Sequence, residues 1–202
     1  MKPADIEKDS FAIIENLTDF SDAINKGYFT DSDWHIVRRM IHACGDTEIV
    51  NSVRISANAV EAGKKALSAG IPVVCDVHMA VSGLSENLKK QCPVHCFITN
   101  PEVACAAIKL GATRAETAIK YAVKQYPDAI YIIGNAPTAL LTLIKMAEVG
   151  KVNPALVVGI PVGFVLAAES KEMLIKTNLN YITNLGCKGG TPMAVAAINA
   201  LK

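Results

Sequence analysis

The sequence predicts an α/β fold: a three-layer α/β/α arrangement around a mainly parallel five-stranded sheet. Short apolar runs of strand length recur at residues 71–77, 94–99, 129–134, 155–160 and 181–186, each rich in Val, Ile or aromatic residues. They lack polar alternation, which is how strands buried on both faces of a parallel sheet read. Helical patterns occupy the intervals, at 57–69, 101–110 with 115–125, 137–149 and 164–176, and a last one at 192–201 closes the chain. Alternation of this kind implies right-handed crossovers and places a ligand crevice at the carboxyl ends of the strands.

A chain of 202 residues that is 51% hydrophobic can bury one core, and no internal repeat or Gly/Ser/Pro-rich linker divides it. A single domain over 1–202 is expected, with a helical leading segment at 1–56 and an α/β core at 57–202. Twenty basic and nineteen acidic residues give a formal net charge of +1, so no global field exists to hold a nucleic acid or an anionic membrane. The apolar runs fall far short of the ~18 residues a bilayer span needs. Six cysteines in a large apolar chain without a signal-peptide pattern read as reduced thiols, and the cytoplasm is the expected compartment.

Several common sites are missing. Neither G-x-G-x-x-G nor G-x-x-x-x-G-K-[ST] occurs, so nucleotide chemistry loses its main support, and G-x-S-x-G is absent as well. Cys92-x-x-His95-Cys96 resembles part of a zinc site, but a structural site needs four ligands and 94–99 reads as a buried strand. Core cysteines are the better reading, and no metal is expected.

The strand ends carry more information. After 129–134 comes Asn135-Ala136-Pro137-Thr138, where Pro137 suits the first helical position and Asn135 or Ala136 the cap. The free amides there could hold a carboxylate or phosphate, or the segment is an ordinary capped βα turn. Pro161-Val162-Gly163-Phe164 opens the next helix, and Gly186-Cys187-Lys188-Gly189-Gly190-Thr191-Pro192 the last, adding a cation. Three such openings on one edge imply an anionic, multi-armed ligand. Asp76, at another strand end, is expected to cap the segment that follows it, and His78 could line the crevice.

Residues 30–45 read as a helix with Thr30 and Asp33 as a capping box and Gly45 as the stop. Val37, Met40, Ile41 and Cys44 form its apolar stripe. At ~100° per residue, His42 lies ~150° from the centre of that stripe, beside Arg38 and Arg39. It is either a solvated surface histidine or a general acid whose neighbouring arginines hold an anionic ligand. His35, on the outer side of the same helix, is expected to be solvated.

At this point longer stretches match a known family. Ser10-Phe11-Ala12-Ile13-Ile14, Arg39-Met40-Ile41-His42-Ala43-Cys44-Gly45, Gly134-Asn135-Ala136-Pro137-Thr138-Ala139-Leu140, Pro161-Val162-Gly163-Phe164-Val165 and Ala168-Glu169-Ser170-Lys171 together resemble the precorrin-8X methylmutase family, including its cobalt-precorrin-8 form. The resemblance implies an isomerase of cobalamin biosynthesis that moves a methyl group from ring carbon eleven to carbon twelve of a tetrapyrrole. It implies no cofactor and no external methyl donor, and a homodimer. By the same resemblance His42 is the catalytic proton donor and acceptor, and Ser10 and Arg39 contact the substrate. Arg114, Asn135 and Lys188 are expected to join them in holding the substrate's acetate and propionate arms. The family often has Arg-x-Gly-Gly-Ser where this chain has Cys187-Lys188-Gly189-Gly190-Thr191, so a point charge replaces a planar fork. A non-catalytic tetrapyrrole carrier is the alternative, and a phosphate-dependent α/β enzyme using the helix after Asn135 a more distant one.

Overall fold

The computed structural model describes residues 3–201, so residues 1, 2 and 202 of the expected domain lie outside the described residues. One six-stranded sheet runs in the order β1-β6-β5-β4-β2-β3. The five apolar runs contain β2 (Val73–Cys75), β3 (Val94–His95), β4 (Ile130–Ile133), β5 (Leu156–Gly159) and β6 (Tyr181–Asn184), and every pairing among these five is parallel. The sixth strand, β1 (Val53–Ile55), pairs antiparallel with β6 in the register Val53↔Asn184. It adds a sixth strand to the expected five and lies at the end of the helical leading segment expected over 1–56. Three residues alternating apolar, charged and apolar leave no strand signature, and the guanidinium of Arg54 turns outward onto the Tyr28 ring, 3.2 Å from its centroid.

The strand expected at 94–99 is a two-residue edge strand, because it pairs with β2 alone and residues 96–99 leave the sheet. Cys92 is buried, with its thiol near the Leu67 carbonyl, and Cys96 is half-buried; no disulfide joins any two of the described cysteines.

Both faces of the sheet are covered. On one lie α3 (Trp34–Cys44), α4 (Ala59–Ser68), α5 (His78–Gly83), α6 (Glu86–Gln91) and α11 (Thr191–Asn199), sharing one apolar cluster with Val73, Ile130, Leu156 and Ile182. On the other, α8 (Arg114–Gln125), α9 (Pro137–Glu148) and α10 (Ala167–Leu174) pack on Tyr131, Ile133 and Val157. The helix α7 (Pro101–Leu110) adjoins α8. Leu140, Leu143 and Ile144 of α9 are fully buried, each worth ~1.5–3 kcal/mol in apolar transfer. Helices α5 and α6 were not anticipated, and α10 starts three residues later than the expected 164, since Pro161 and Gly163 keep 161–166 as a loop.

The leading segment adds α1 (Pro3–Leu17) and the short α2 (Ser21–Asn25). Helix α1 lies across α3, and α3 packs on α11, so the segment is continuous with the core through Ile36, Val37, Met40 and Ile41. No helix among the described residues is long and apolar enough to cross a membrane.

Candidate active site

Local chemistry fixes α3 at both ends. The Asp33 carboxylate accepts from the Thr30 N–H at 2.9 Å and from the Thr30 hydroxyl at 2.7 Å, and one 3₁₀ turn over Asp31–Asp33 precedes the helix. Gly45 stops it with φ 67°, a left-handed conformation that glycine adopts without strain, donating its N–H to the Ile41 carbonyl at 2.8 Å. Val37, Met40 and Ile41 are buried as the pattern requires, joined by Trp34 and Ile36. Cys44 does not complete the stripe; as the last residue of the helix it is exposed, with its thiol near the Ile41 and Asp46 carbonyls. His35 is half-buried and its Nδ1 lies 2.8 Å from the Ser32 carbonyl.

The polar face of α3 is where α1 lies. His42 is exposed, and its Nδ1 stands 2.8 Å from the Ser10 hydroxyl. The Phe11 ring meets the imidazole edge-on, with centroids 5.5 Å apart, and fixes the ring plane. The guanidiniums of Arg38 and Arg39 lie 4.3 and 5.2 Å from the same Phe11 centroid. Arg39 pairs with Glu7 at 2.9 Å and Arg38 pairs closely with Glu15. Glu7, Phe11 and Glu15 recur every four residues, so one face of α1 serves both arginines and the imidazole. That four-residue spacing is visible in the sequence. The other imidazole nitrogen, Nε2, makes no hydrogen bond with any described residue, which leaves it for a substrate. A depression of about 380 Å³ lined by Glu7, Lys8, Phe11, Ala12, Glu15 and Arg38 lies alongside.

The strand-end crevice differs from expectation in a specific way. The amides of Gly134, Asn135 and Ala136 are already occupied, donating to the Asp76 carboxylate at 3.3, 2.8 and 2.8 Å. This corrects both the proposed anion seat after Asn135 and the expectation that Asp76 caps its own following segment. A buried carboxylate from β2's end fills the place a ligand anion would take at the topological switch between β2 and β4. Burial pushes that carboxyl group up, while the three amide donors pull it back down. The Asn135 side chain itself is exposed.

Lys188 is not a free cation either. Its ammonium donates to Asp46 at 2.6 Å and Glu48 at 3.0 Å, and these contacts push its pKa up to about 12. It therefore stands on the same edge as the end of His42's helix. Arg114, at the first turn of α8, is exposed and forms no ion pair with any described residue; the Thr113 hydroxyl before it meets Thr138 at 3.0 Å. His78 reaches Thr99 at 2.9 Å. Between these groups, the loop after β5 presents Phe164, 95% exposed, with Val165 and Leu166, the last held at φ 62°. A helix over 164–166 would turn part of this run inward; as a loop it leaves all three side chains exposed.

Ser10, Arg39 and His42 are thus brought together, Lys188 is linked to the same helix end through Asp46, and Asn135, on the loop after β4, and Arg114, in the first turn of α8, lie further along. Among the described residues no group of three His, Cys, Asp or Glu side chains is placed to hold a metal ion.

A family model described as precorrin-8X methylmutase matches residues 5–202. A cobalt-precorrin-8 methylmutase of Leptospira interrogans is 41% identical over 206 residues, covering 97% of this chain and 91% of that protein. One of Priestia megaterium is 40% identical over 203 residues, covering 100% and 88%. Among solved structures, a precorrin-8X methylmutase from Thermus thermophilus superposes with a TM-score of 0.83 at 38% identity, covering 97% of this chain and 94% of that one. A precorrin-8X methylmutase related protein superposes with a TM-score of 0.84 at 30% identity, covering 94% and 97%. These full-length similarities show the family: the chain belongs to the precorrin-8X methylmutases, intramolecular methyl-shifting isomerases of cobalamin biosynthesis.

Proposed function

We propose that this chain moves a methyl group from ring carbon eleven to carbon twelve of precorrin-8 or its cobalt form, with His42 as proton donor and acceptor. The observation that carries the reading is the Ser10–His42 contact, which leaves Nε2 as the only imidazole nitrogen open to a substrate. His42 gives a proton to a ring nitrogen of the macrocycle, which draws electron density from the migration centre. One carbon–carbon bond breaks at carbon eleven and one forms at carbon twelve, and the proton returns to the imidazole, so atoms balance as an isomerisation requires. A general acid contributes ~10²–10⁴ in rate, and holding the macrocycle in its reactive conformation supplies much of the rest.

Arg39 takes a carboxylate arm in place of Glu7, and Arg114, Asn135 and Lys188 serve further arms along the crevice edge. The exposed Phe164 and Val165 offer an apolar surface for the flat ring. The protein acts as a cytoplasmic homodimer; cysteines that form no disulfide among the described residues suit a reducing compartment. The partner covers the exposed stripe Ile6, Ile13 and Leu17 on α1, which borders Ser10 on the helix wheel, and so encloses His42.

Incubating the protein with precorrin-8 and with cobalt-precorrin-8, each in large excess, tests the reading. Conversion far beyond one equivalent of either supports it, whereas a reversible spectral shift limited to one equivalent would identify a carrier. Light scattering at micromolar concentration reads the oligomer, and a fully active monomer would contradict the shared site.

A further inference from the structure

Lys171 of α10 is 0% exposed, an uncommon place for an ammonium group. Its Nζ donates to the Lys188 carbonyl at 2.6 Å and to the Asn184 side-chain oxygen at 3.4 Å, and no carboxylate among the described residues pairs with it. Burial lowers its pKa to about 8. An apolar side chain of the same reach would fill the volume without the cost of desolvating a charge. What the amine adds is a directed hydrogen bond to one carbonyl.

That carbonyl belongs to the strand-end loop. Asn184 grips it from the same side, donating its amide at 2.8 Å and reaching the Leu185 carbonyl at 3.2 Å. The loop is closed on a second side at Gly189, where φ is 155° and a Cβ would stand 2.7 Å from the Ile160 carbonyl oxygen, so only glycine fits. On its third side the Lys188 ammonium bonds to Asp46 and Glu48. Asp46 follows directly on Gly45, the residue that ends His42's helix. A continuous polar path therefore runs from the buried amine, through the Lys188 main chain and side chain, to the carboxyl end of α3.

We infer that Lys171 is a positioning residue for the methyl shift: by fixing the Lys188 carbonyl it sets the Lys188–Asp46 bridge, and with it the end of α3 that carries His42. This rests on the reading of His42 as the proton donor. The imidazole sits one turn before Asp46, and a misplacement of about 1 Å in a reacting group costs up to ~10²-fold in rate.

The test uses Lys171→Met, which keeps length and removes the donor, and Asp46→Asn, which breaks the bridge at the surface while keeping an acceptor for the Glu48 amide. Turnover is expected to fall ~10-fold to ~10²-fold in Lys171→Met, with KM within ~3-fold and thermal stability no lower than wild type. Asp46→Asn is expected to lower turnover in the same sense. The double variant should lose no more than the worse single, since both interrupt one path. In substrate-free protein the His42 ring resonances should shift in both variants. Wild-type turnover with unmoved His42 resonances in either variant would overturn the inference, as would losses that multiply. Should Lys171→Met not fold, Asp46→Asn decides alone. The resonance readout needs no turnover, so it separates failure of this path from failure of His42 as the acid, which His42→Ala reports.

Discussion

The hydroxyl of Ser10 and Nδ1 of His42 stand 2.8 Å apart although thirty-two residues separate them in sequence, because α1 folds back over the polar face of α3. The contact selects the imidazole face presented to a substrate. Ser10→Ala removes it and should lower turnover ~3-fold to ~10-fold, the kinetic equivalent of one hydrogen bond, with little change in KM. Steady-state kinetics on the purified variant check this; a raised KM at unchanged turnover would make Ser10 a binding group instead.

Arg39 is held by Glu7 at 2.9 Å, both partly exposed, so a substrate carboxylate must displace an existing ion pair. Arg39→Ala should weaken binding more than it slows the bound reaction, since an arm-binding arginine contributes mostly uniform binding. Glu7→Gln should do the reverse and tighten binding ~2-fold to ~5-fold, the scale of an exposed pair. Titration by absorbance with inactive His42→Ala protein separates the two effects from turnover.

The sequence made some of this site legible and hid the rest for physical reasons. Period 3.6 placed His42 opposite Val37, Met40 and Ile41, and the five apolar runs located five strands, because burial on both sheet faces leaves a compositional mark. β1 left none, being only three residues at an edge with the charged Arg54 as its middle one. The Ser10–His42 contact depends on how α1 crosses α3, which local periodicity does not encode. Asp76 reaches amides fifty-eight to sixty residues away, so the anion seat after Asn135 looked vacant from its own segment. Residues 164–166 read as helix by composition, whereas Gly163, at φ 146°, delays the helix to Ala167.

Asp76 is the one buried carboxylate that the switch-point turn needs. Asp76→Asn replaces one of the two acceptor oxygens with a donor, which faces either the Gly134 N–H or those of Asn135 and Ala136, and should cost ~2–3 kcal/mol, the range for losing bonds to a charged, buried acceptor. Urea denaturation followed by circular dichroism measures it, and an unchanged midpoint would mean the turn holds without this cap.

Lys171 should make stability depend on pH on the alkaline side. Its folded pKa is depressed to about 8 from 10.5, so the unfolded chain binds the proton more tightly in that window. The penalty for the buried cation is fully present below about 8 and is relieved as pH rises towards 10.5. Wild-type stability relative to Lys171→Met should therefore increase between pH 8 and 10, by about 2 kcal/mol. Guanidinium unfolding of both proteins across that range checks the difference, in which the other titrating groups cancel.

The proton donor itself is tested most directly by single-turnover kinetics of His42→Ala on bound precorrin-8 or cobalt-precorrin-8. His42 is exposed and lies outside the buried stripe of α3, so the variant should fold and bind the macrocycle normally. Its methyl-transfer rate should fall by at least ~10²-fold, the lower range for a lost general acid. A folded, substrate-binding His42→Ala protein that converts its ligand at close to the wild-type rate would contradict the assignment.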